Sequence, residues 1–81
     1  MQTEYTIYGI HNCQWCDRAK SLLTEKNLSY KFLYIGEDIS RVDFKEKIMG
    51  VDVETRVTAP QIFHPNGKHI GGFTDLEKIL R

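Results

Sequence analysis

The 81-residue sequence has no excess of either charge, since 11 lysine and arginine residues balance 11 aspartate and glutamate residues. A formal net charge of zero gives no electrostatic reason to expect binding to nucleic acid or to an anionic membrane surface. The apolar runs are only a few residues long, too short to span a bilayer. Residues 1–6 carry neither the basic stretch nor the apolar segment of a signal peptide. We therefore expect a cytoplasmic protein with no nucleic-acid or membrane partner.

Cysteine is also scarce, with only Cys13 and Cys16 in the chain. A disulfide between them closes a very small loop and constrains the unfolded chain little, so it is a poor structural staple. In a reducing compartment such a pair is better explained by catalysis or metal binding. Zinc takes four ligands, yet the chain has no second CxxC, and the spacings of His11, His64 and His69 match no common zinc pattern. We expect no metal site.

A chain of this length forms one domain, residues 1–81, and buries about 60% of the surface that its unfolded state exposes. Hydrophobic periodicity and turn residues predict the secondary structure. The predicted strands are 3–8, 30–35, 61–64 and 68–70, and the predicted helices are 14–26, 40–49 and 74–80. Residues 51–58 are expected to be mostly loop. The order β-α-β-α-β-β-α predicts an α/β fold with a right-handed parallel crossover, a closing hairpin and a mixed four-stranded sheet covered by helices.

The predicted helices show which residues should face the core. Phe44 and Ile48 are four residues apart and should lie on one buried face of the second helix. Thr74 and Glu77 have the spacing of a capping box at the start of the third. The apolar stripe predicted for the first helix is Cys16, Ala19, Leu22 and Leu23.

The position of the dithiol favours redox chemistry. Cys13 falls between the first strand and the first helix, so its sulfur should lie near the unpaired N–H groups of a helix start, which favours the nucleophilic thiolate. Cys16 follows one helical turn later on the same face. The outer thiolate can attack a substrate disulfide, and the inner thiol, or a small second thiol, can resolve the mixed disulfide. Taken alone, a CxxC is also typical of half a metal site.

Four motifs occur in an order that identifies a family. They are Ile-Tyr-Gly at 7–9 leading to Cys-Gln-Trp-Cys-Asp-Arg-Ala-Lys at 13–20, Arg-Val-Thr-Ala-Pro-Gln-Ile-Phe at 56–63, His-Ile-Gly-Gly at 69–72, and Asp-Leu at 75–76. With them the chain resembles the glutaredoxins of the thioredoxin-like superfamily, and especially the short dithiol glutaredoxins of bacteria and phages. The resemblance covers nearly the whole chain and implies the thioredoxin-like glutaredoxin fold.

The resemblance also implies a glutathione site beside the dithiol. Cys13 would form the mixed disulfide, and Pro60, as a cis-proline, would form a wall of the groove. The start of the last helix would hold the γ-glutamyl carboxylate through backbone N–H groups. Asp75 would pair with the amino group of the ligand, or alternatively would only complement the helix dipole. The residues implied in glutathione binding are Trp15, Thr58, Ala59, Pro60, Gly72, Phe73, Thr74 and Asp75.

The chain departs from the family pattern at two positions near the dithiol. Ile10 stands where the family often has a lysine that binds a glutathione carboxylate, so Lys20 and Arg56 are the candidate charge contacts. Gln14 replaces the usual proline between the cysteines, which leaves an iron–sulfur or other metal-binding module as an alternative function.

The activity implied by the resemblance is that of a glutathione-dependent thiol–disulfide oxidoreductase. It would reduce protein disulfides and glutathione mixed disulfides, with ribonucleotide reductase among its possible protein partners. We expect a monomer that uses glutathione as co-substrate and holds no tightly bound cofactor. Phe73-Thr74 after the glycine pair also resembles the glutaredoxin-like redoxins that thioredoxin reductase recharges, so that reductant is the alternative.

Overall fold

The computed structural model describes residues 4–49 and 59–81. The elements are β1 (Tyr5–Gly9), α1 (Gln14–Glu25), β2 (Tyr30–Tyr34), α2 (Arg41–Met49), β3 (Gln61–Phe63), β4 (His69–Gly71) and α3 (Phe73–Leu80). This order confirms the predicted β-α-β-α-β-β-α arrangement. The loop predicted for 51–58 lies outside the described residues, as do Thr3, Arg56 and Thr58.

The four strands form one mixed sheet in the order β2-β1-β3-β4. β1 and β2 run parallel, with Tyr5 opposite Tyr30 and Gly9 opposite Tyr34. β3 runs antiparallel to both β1 and β4. β1 is a central strand of the sheet, and only residues 10–13 separate it from α1. The first turn of α1 therefore lies near the end of a central strand rather than near an edge strand.

The two faces of the sheet carry separate apolar clusters. Side chains alternate between the faces of a strand, so Ile7 and Tyr8 of β1 point in opposite directions. Ile7 packs in the cluster that α1 and α3 cover, while Tyr8 packs with Phe44 of α2 and Phe63 of β3. Phe44 is buried as predicted, whereas the side chain of Ile48 lies outside the described part of the chain. The predicted apolar stripe of α1 is confirmed, since four of its residues are buried: Cys16, Ala19, Leu22 and Leu23.

The start of α3 corrects one prediction. The helix begins at Phe73, with Gly72 as its N-cap residue, rather than at Thr74. The side chain at the third helical position is therefore that of Asp75, and its Oδ2 accepts a hydrogen bond of 3.1 Å from the N–H of Gly72. The predicted capping box of Thr74 and Glu77 is wrong because the N-cap residue is Gly72, two positions before Thr74. At α2 the predicted cap is present, since the Asp43 N–H donates to Ser40 Oγ at 3.1 Å.

Leu76 and Ile79 have side chains of similar size on the same helix, α3, but differ in burial. Leu76 is fully buried, while Ile79 is 51% exposed. We expect Leu76→Ala to lower the free energy of unfolding by about 2–5 kcal/mol, because it leaves a cavity in the core. The control Ile79→Ala removes similar atoms from the surface of the same helix and should cost less than about 1 kcal/mol. Urea unfolding followed by circular dichroism measures both, and equal losses would contradict the assignment of the buried face.

Candidate active site

Cys13 occupies the N-cap position of α1 and forms a disulfide with Cys16 across a Cα–Cα distance of 5.2 Å. The Sγ of Cys13 accepts a hydrogen bond of 3.2 Å from the backbone N–H of Cys16. A sulfur at this position faces the partial positive charge of the helix start, which favours its thiolate in the reduced protein. The predicted placement of the dithiol, at the junction of β1 and α1, is confirmed.

The two cysteines differ in burial, and Gly9 lies against the inner one. Cys16 is 1% exposed, whereas Cys13 is only partly buried. A Cβ built on Gly9 would overlap the Phe32 ring and lie 2.8 Å from the Sγ of Cys16. Only glycine lets the end of β1 come this close to the inner sulfur. Cys13 is therefore the more accessible cysteine, while Cys16 lies against Gly9 inside the fold.

A groove of about 260 Å³ lies beside the dithiol. Its floor includes the cis peptide bond between Ala59 and Pro60, and a Cβ built on Gly72 would be 3.6 Å from the carbonyl oxygen of Pro60. This is an ordinary van der Waals separation, and it places the start of α3 next to the backbone of Pro60. The lining residues that the structure describes are Trp15, Ala59, Pro60, Gly72, Phe73, Thr74 and Asp75. The structure thus brings together seven of the eight residues implied by the resemblance, and Thr58 lies outside the described ranges.

Aromatic side chains form one wall of this groove. The rings of Trp15 and Phe73 are 5.7 Å apart, and Trp15 is half exposed. The guanidinium of Arg18 lies 4.7 Å from the centre of the Trp15 ring, a cation–π contact. The sequence motifs predicted no role for Arg18. The signal was present, since residues three apart on a helix are neighbours on its surface.

The carboxylate of Asp75 has a structural partner. It accepts the hydrogen bond from the Gly72 N–H, and a Cβ built on Gly71 would overlap it. Gly71 has a φ of 124°, a conformation that favours glycine. The glycine pair therefore allows the chain to turn tightly into α3 around Asp75. This geometry agrees with the first-turn role considered for Asp75.

Of the two candidate charge contacts to glutathione, Lys20 and Arg56, the structure describes only Lys20. The Nζ of Lys20 lies 4.6 Å from the centre of the Phe32 ring and 3.4 Å from the carboxylate of Asp17. Lys20 is not among the described residues that line the groove. Arg56 is not among the described residues at all. Across residues 4–49 and 59–81, no cluster of three or more histidine, cysteine or acidic side chains is arranged to hold a metal ion.

In the loop that precedes Cys13, the side chain of His11 contacts residues at and just after the end of β2. The imidazole of His11 stacks on the ring of Tyr34 with 4.2 Å between centres. Its Nε2 lies 3.1 Å from a carboxylate oxygen of Glu37. These groups are exposed, so the pair contributes little to overall stability. These contacts join the loop before Cys13 to the end of β2.

A half-buried dithiol at a helix start, beside a cis-proline and on a four-stranded mixed sheet, defines a thiol–disulfide oxidoreductase of the thioredoxin-like class. The glutaredoxin family model matches residues 5–70. The chain therefore belongs to the glutaredoxin family. Within the described ranges, no helix is long and apolar enough to cross a membrane.

Individual relatives agree with this assignment. The chain is 38% identical to glutaredoxin of Enterobacteria phage T4, over 95% of this chain and 99% of the relative. It is also 38% identical, over 99% of its length, to hybrid peroxiredoxin hyPrx5 of Haemophilus influenzae, of which it spans 30%. The solved structure of reduced Escherichia coli glutaredoxin superposes with a TM-score of 0.69 at 35% identity, covering 94% of this chain and 91% of that one.

His69 makes the stability of the site region depend on pH. Its Nε2 lies 2.7 Å from Oε1 of Gln61, and burial lowers its pKa below the ordinary value of 6.5, while the charge of Asp75 acts in the opposite direction. The unfolded chain therefore binds a proton at a higher pH than the folded chain. The contribution of this group to stability is complete above pH 6.5 and is lost as the pH falls toward the lower folded pKa.

We expect an NMR titration of the His69 ring to give a pKa below 6.5 in the wild type and a still lower pKa in Asp75→Asn. In His69→Asn, the decrease in the urea midpoint between pH 7.5 and 5.5 should be smaller than in the wild type, because the titrating group is gone. A His69 pKa above 6.5, or an increase in Asp75→Asn, would contradict the balance of burial and charge assigned to this ring.

Proposed function

We propose that this glutaredoxin uses glutathione to reduce protein disulfides and glutathione mixed disulfides. The observation that carries the proposal is the groove beside Cys13, with Pro60 on one side and the start of α3 at the other. The groove has a volume of about 260 Å³, and its lining includes the aromatic residues Trp15 and Phe73 and the cis-proline. Position 10 holds isoleucine instead of the lysine that often binds a glutathione carboxylate in this family. The proposal therefore rests on the groove and not on a positive charge at position 10.

Each part of glutathione has a chemically suitable neighbour in the proposed complex. The strand-like backbone of Ala59 would pair with the cysteinyl peptide group of the ligand. The free N–H groups at the start of α3 would bind the γ-glutamyl carboxylate. Asp75 retains unused acceptor sites beyond the bond from Gly72, so it can also accept a bond from the ligand's amino group. Thr58 is proposed as a further backbone contact.

The proposed reaction on a mixed disulfide uses Cys13 alone. The Cys13 thiolate attacks the glutathione sulfur, and the substrate thiolate leaves and takes up a proton. A second glutathione thiolate then attacks the glutathione sulfur of this intermediate, releases glutathione disulfide and regenerates the Cys13 thiolate.

The proposed reaction on a protein disulfide uses both cysteines. Cys13 attacks one substrate sulfur, and the Cys16 thiolate then attacks Cys13 and releases the second substrate thiol. Two glutathione molecules reduce the resulting Cys13–Cys16 disulfide. Family potentials of about −200 to −230 mV allow the glutathione pool to drive this step.

The protein partners in this proposal are disulfide-containing enzymes. Ribonucleotide reductase is one candidate. A peroxiredoxin is a second candidate. A hybrid peroxiredoxin, a much longer protein, contains a stretch that is 38% identical to this chain over 99% of the chain's length. We propose that the protein acts as a monomer in a reducing cytoplasm and needs no tightly bound cofactor.

The choice of reductant can be tested directly. Oxidised protein is given glutathione, glutathione reductase and NADPH in one reaction, and thioredoxin reductase and NADPH in another. We expect NADPH consumption in the first reaction and at least tenfold less in the second, because the groove is proposed to fit glutathione. The opposite result would assign the chain to the redoxins recharged by thioredoxin reductase.

The two cysteines should have different roles when substituted. Cys13→Ser should abolish exchange with every disulfide, because it removes the accessible nucleophile. Cys16→Ser should keep activity on glutathione mixed disulfides but lose most of it on protein disulfides, which need a resolving thiol. Glutathione-coupled NADPH consumption with each substrate measures both effects. Equal loss in the two variants with glutathione mixed disulfides would refute the assigned roles.

A further inference from the structure

The indole ring of Trp15 lines the groove beside the dithiol, yet much of its surface lies in solvent. Trp15 is 49% exposed, and the centre of its ring lies 5.7 Å from that of Phe73. Exposed side chains change rotamer within about nanoseconds unless neighbouring groups hold them. A second contact with the ring therefore decides how well this wall of the groove is defined.

Arg18 supplies such a contact. Its guanidinium carbon lies 4.7 Å from the centre of the Trp15 ring, within the distance at which a cation is attracted to an aromatic face. Tryptophan is the best aromatic partner for a cation, and a planar guanidinium can also stack on the ring. The two residues are three apart in α1, so helix geometry keeps their side chains adjacent.

No acidic side chain of the described residues competes with the ring for Arg18. The two carboxylates of α1 have other cationic partners, since Asp17 lies 3.4 Å from Nζ of Lys20 and Glu25 lies 3.0 Å from a guanidinium nitrogen of Arg81. Within residues 4–49 and 59–81, no carboxylate oxygen lies within 4.0 Å of the Arg18 guanidinium. The Trp15 ring is therefore the contact that places this cation.

Arg18 lies outside the groove that Trp15 lines. The described residues around that groove include Trp15 and Phe73 but not Arg18. Arg18 instead borders, together with Phe73, a separate concavity of about 320 Å³ between α1 and α3. An effect of Arg18 on a ligand in the groove is therefore expected to pass through the aromatic wall.

We propose that Arg18 is a positioning residue for the glutathionyl part of the substrate, because its guanidinium holds the Trp15 ring in the orientation that forms the groove wall. This inference rests on the proposed use of glutathione. A cation–π contact at an exposed site changes an equilibrium constant about two- to fivefold. The effect should fall on the binding of the glutathionyl group and leave the chemistry at Cys13 unchanged.

Trp15 is the single tryptophan of the chain, so its fluorescence reports on this contact directly. In reduced protein we expect Arg18→Ala to lower the fluorescence anisotropy and to increase quenching by acrylamide, because the ring gains mobility. Arg18→Lys should give intermediate values, since lysine keeps the charge but cannot stack as a plane. The matched control, Lys26→Ala, removes one positive charge from the C-cap of the same helix and should change neither value.

The functional measurement is glutathione-coupled NADPH consumption with the mixed disulfide of cysteine and glutathione at varied concentration. We expect Arg18→Ala to raise the KM for this mixed disulfide about threefold and to change kcat less than about twofold. Arg18→Lys should recover part of the loss, and Lys26→Ala should match the wild type. A split between KM and kcat distinguishes a positioning role from general damage to the fold.

A double-mutant cycle separates action through the ring from a direct contact with glutathione. Trp15→Leu removes the ring and should itself raise the KM. In the Trp15→Leu background, Arg18→Ala should raise the KM by less than about 1.5-fold, because the group that it positions is gone. A direct contact of Arg18 with a glutathione carboxylate would instead give the same increase in both backgrounds.

Three results would overturn the inference while leaving the proposed function intact. They are unchanged Trp15 anisotropy in Arg18→Ala, an unchanged KM in Arg18→Ala, and the same increase in KM with and without the Trp15 ring. A wild type that consumes no NADPH with glutathione would refute the proposed function, and the role of Arg18 toward glutathione would fall with it. The anisotropy comparison would still decide whether Arg18 holds the ring.

Discussion

The close contact between Gly9 and the sulfur of Cys16 is the constraint on which the site depends. It fixes the distance between the end of β1 and the first turn of α1, because any side chain at position 9 would overlap Phe32 and approach Cys16 Sγ to 2.8 Å. Cys16 packs against this glycine and is 1% exposed, whereas Cys13 at the start of α1 is only partly buried. The strand end therefore leaves room for the inner cysteine beneath the first turn of the helix.

The remaining features of the site act on the outer cysteine. The start of α1 supplies N–H groups that favour its thiolate, and the Cys16 N–H already donates to it at 3.2 Å. His11 stacks on Tyr34 and pairs with Glu37, so the loop before Cys13 contacts the end of β2. None of these contacts is strong alone. Together they hold the sulfur in one place, and exchange between sulfur atoms requires just that positional control because the attacking sulfur must meet the disulfide end-on.

Sequence patterns predicted the element order, the apolar stripe of α1 and the junction that carries the dithiol, because each depends on residues close together in the chain. The start of α3 was mispredicted. Thr74 and Glu77 satisfy the local capping pattern, but the hydrogen bond from the Gly72 N–H to Asp75 belongs to an N-cap two residues earlier. Local patterns could not predict the groove beside the dithiol, since it forms where Trp15, the Ala59–Pro60 pair and the start of α3 meet. Only the family resemblance indicated it.

The groove beside the dithiol combines backbone and side-chain surface. Ala59, Pro60 and Gly72 bring the backbone to it, and Trp15 and Phe73 bring aromatic rings. Backbone groups keep their hydrogen-bonding character whatever side chain a residue carries. The aromatic wall can therefore vary in sequence without disturbing Gly9, Cys13 or the cis-proline. The surface of the groove is in this way separable from the elements that position the sulfur atoms.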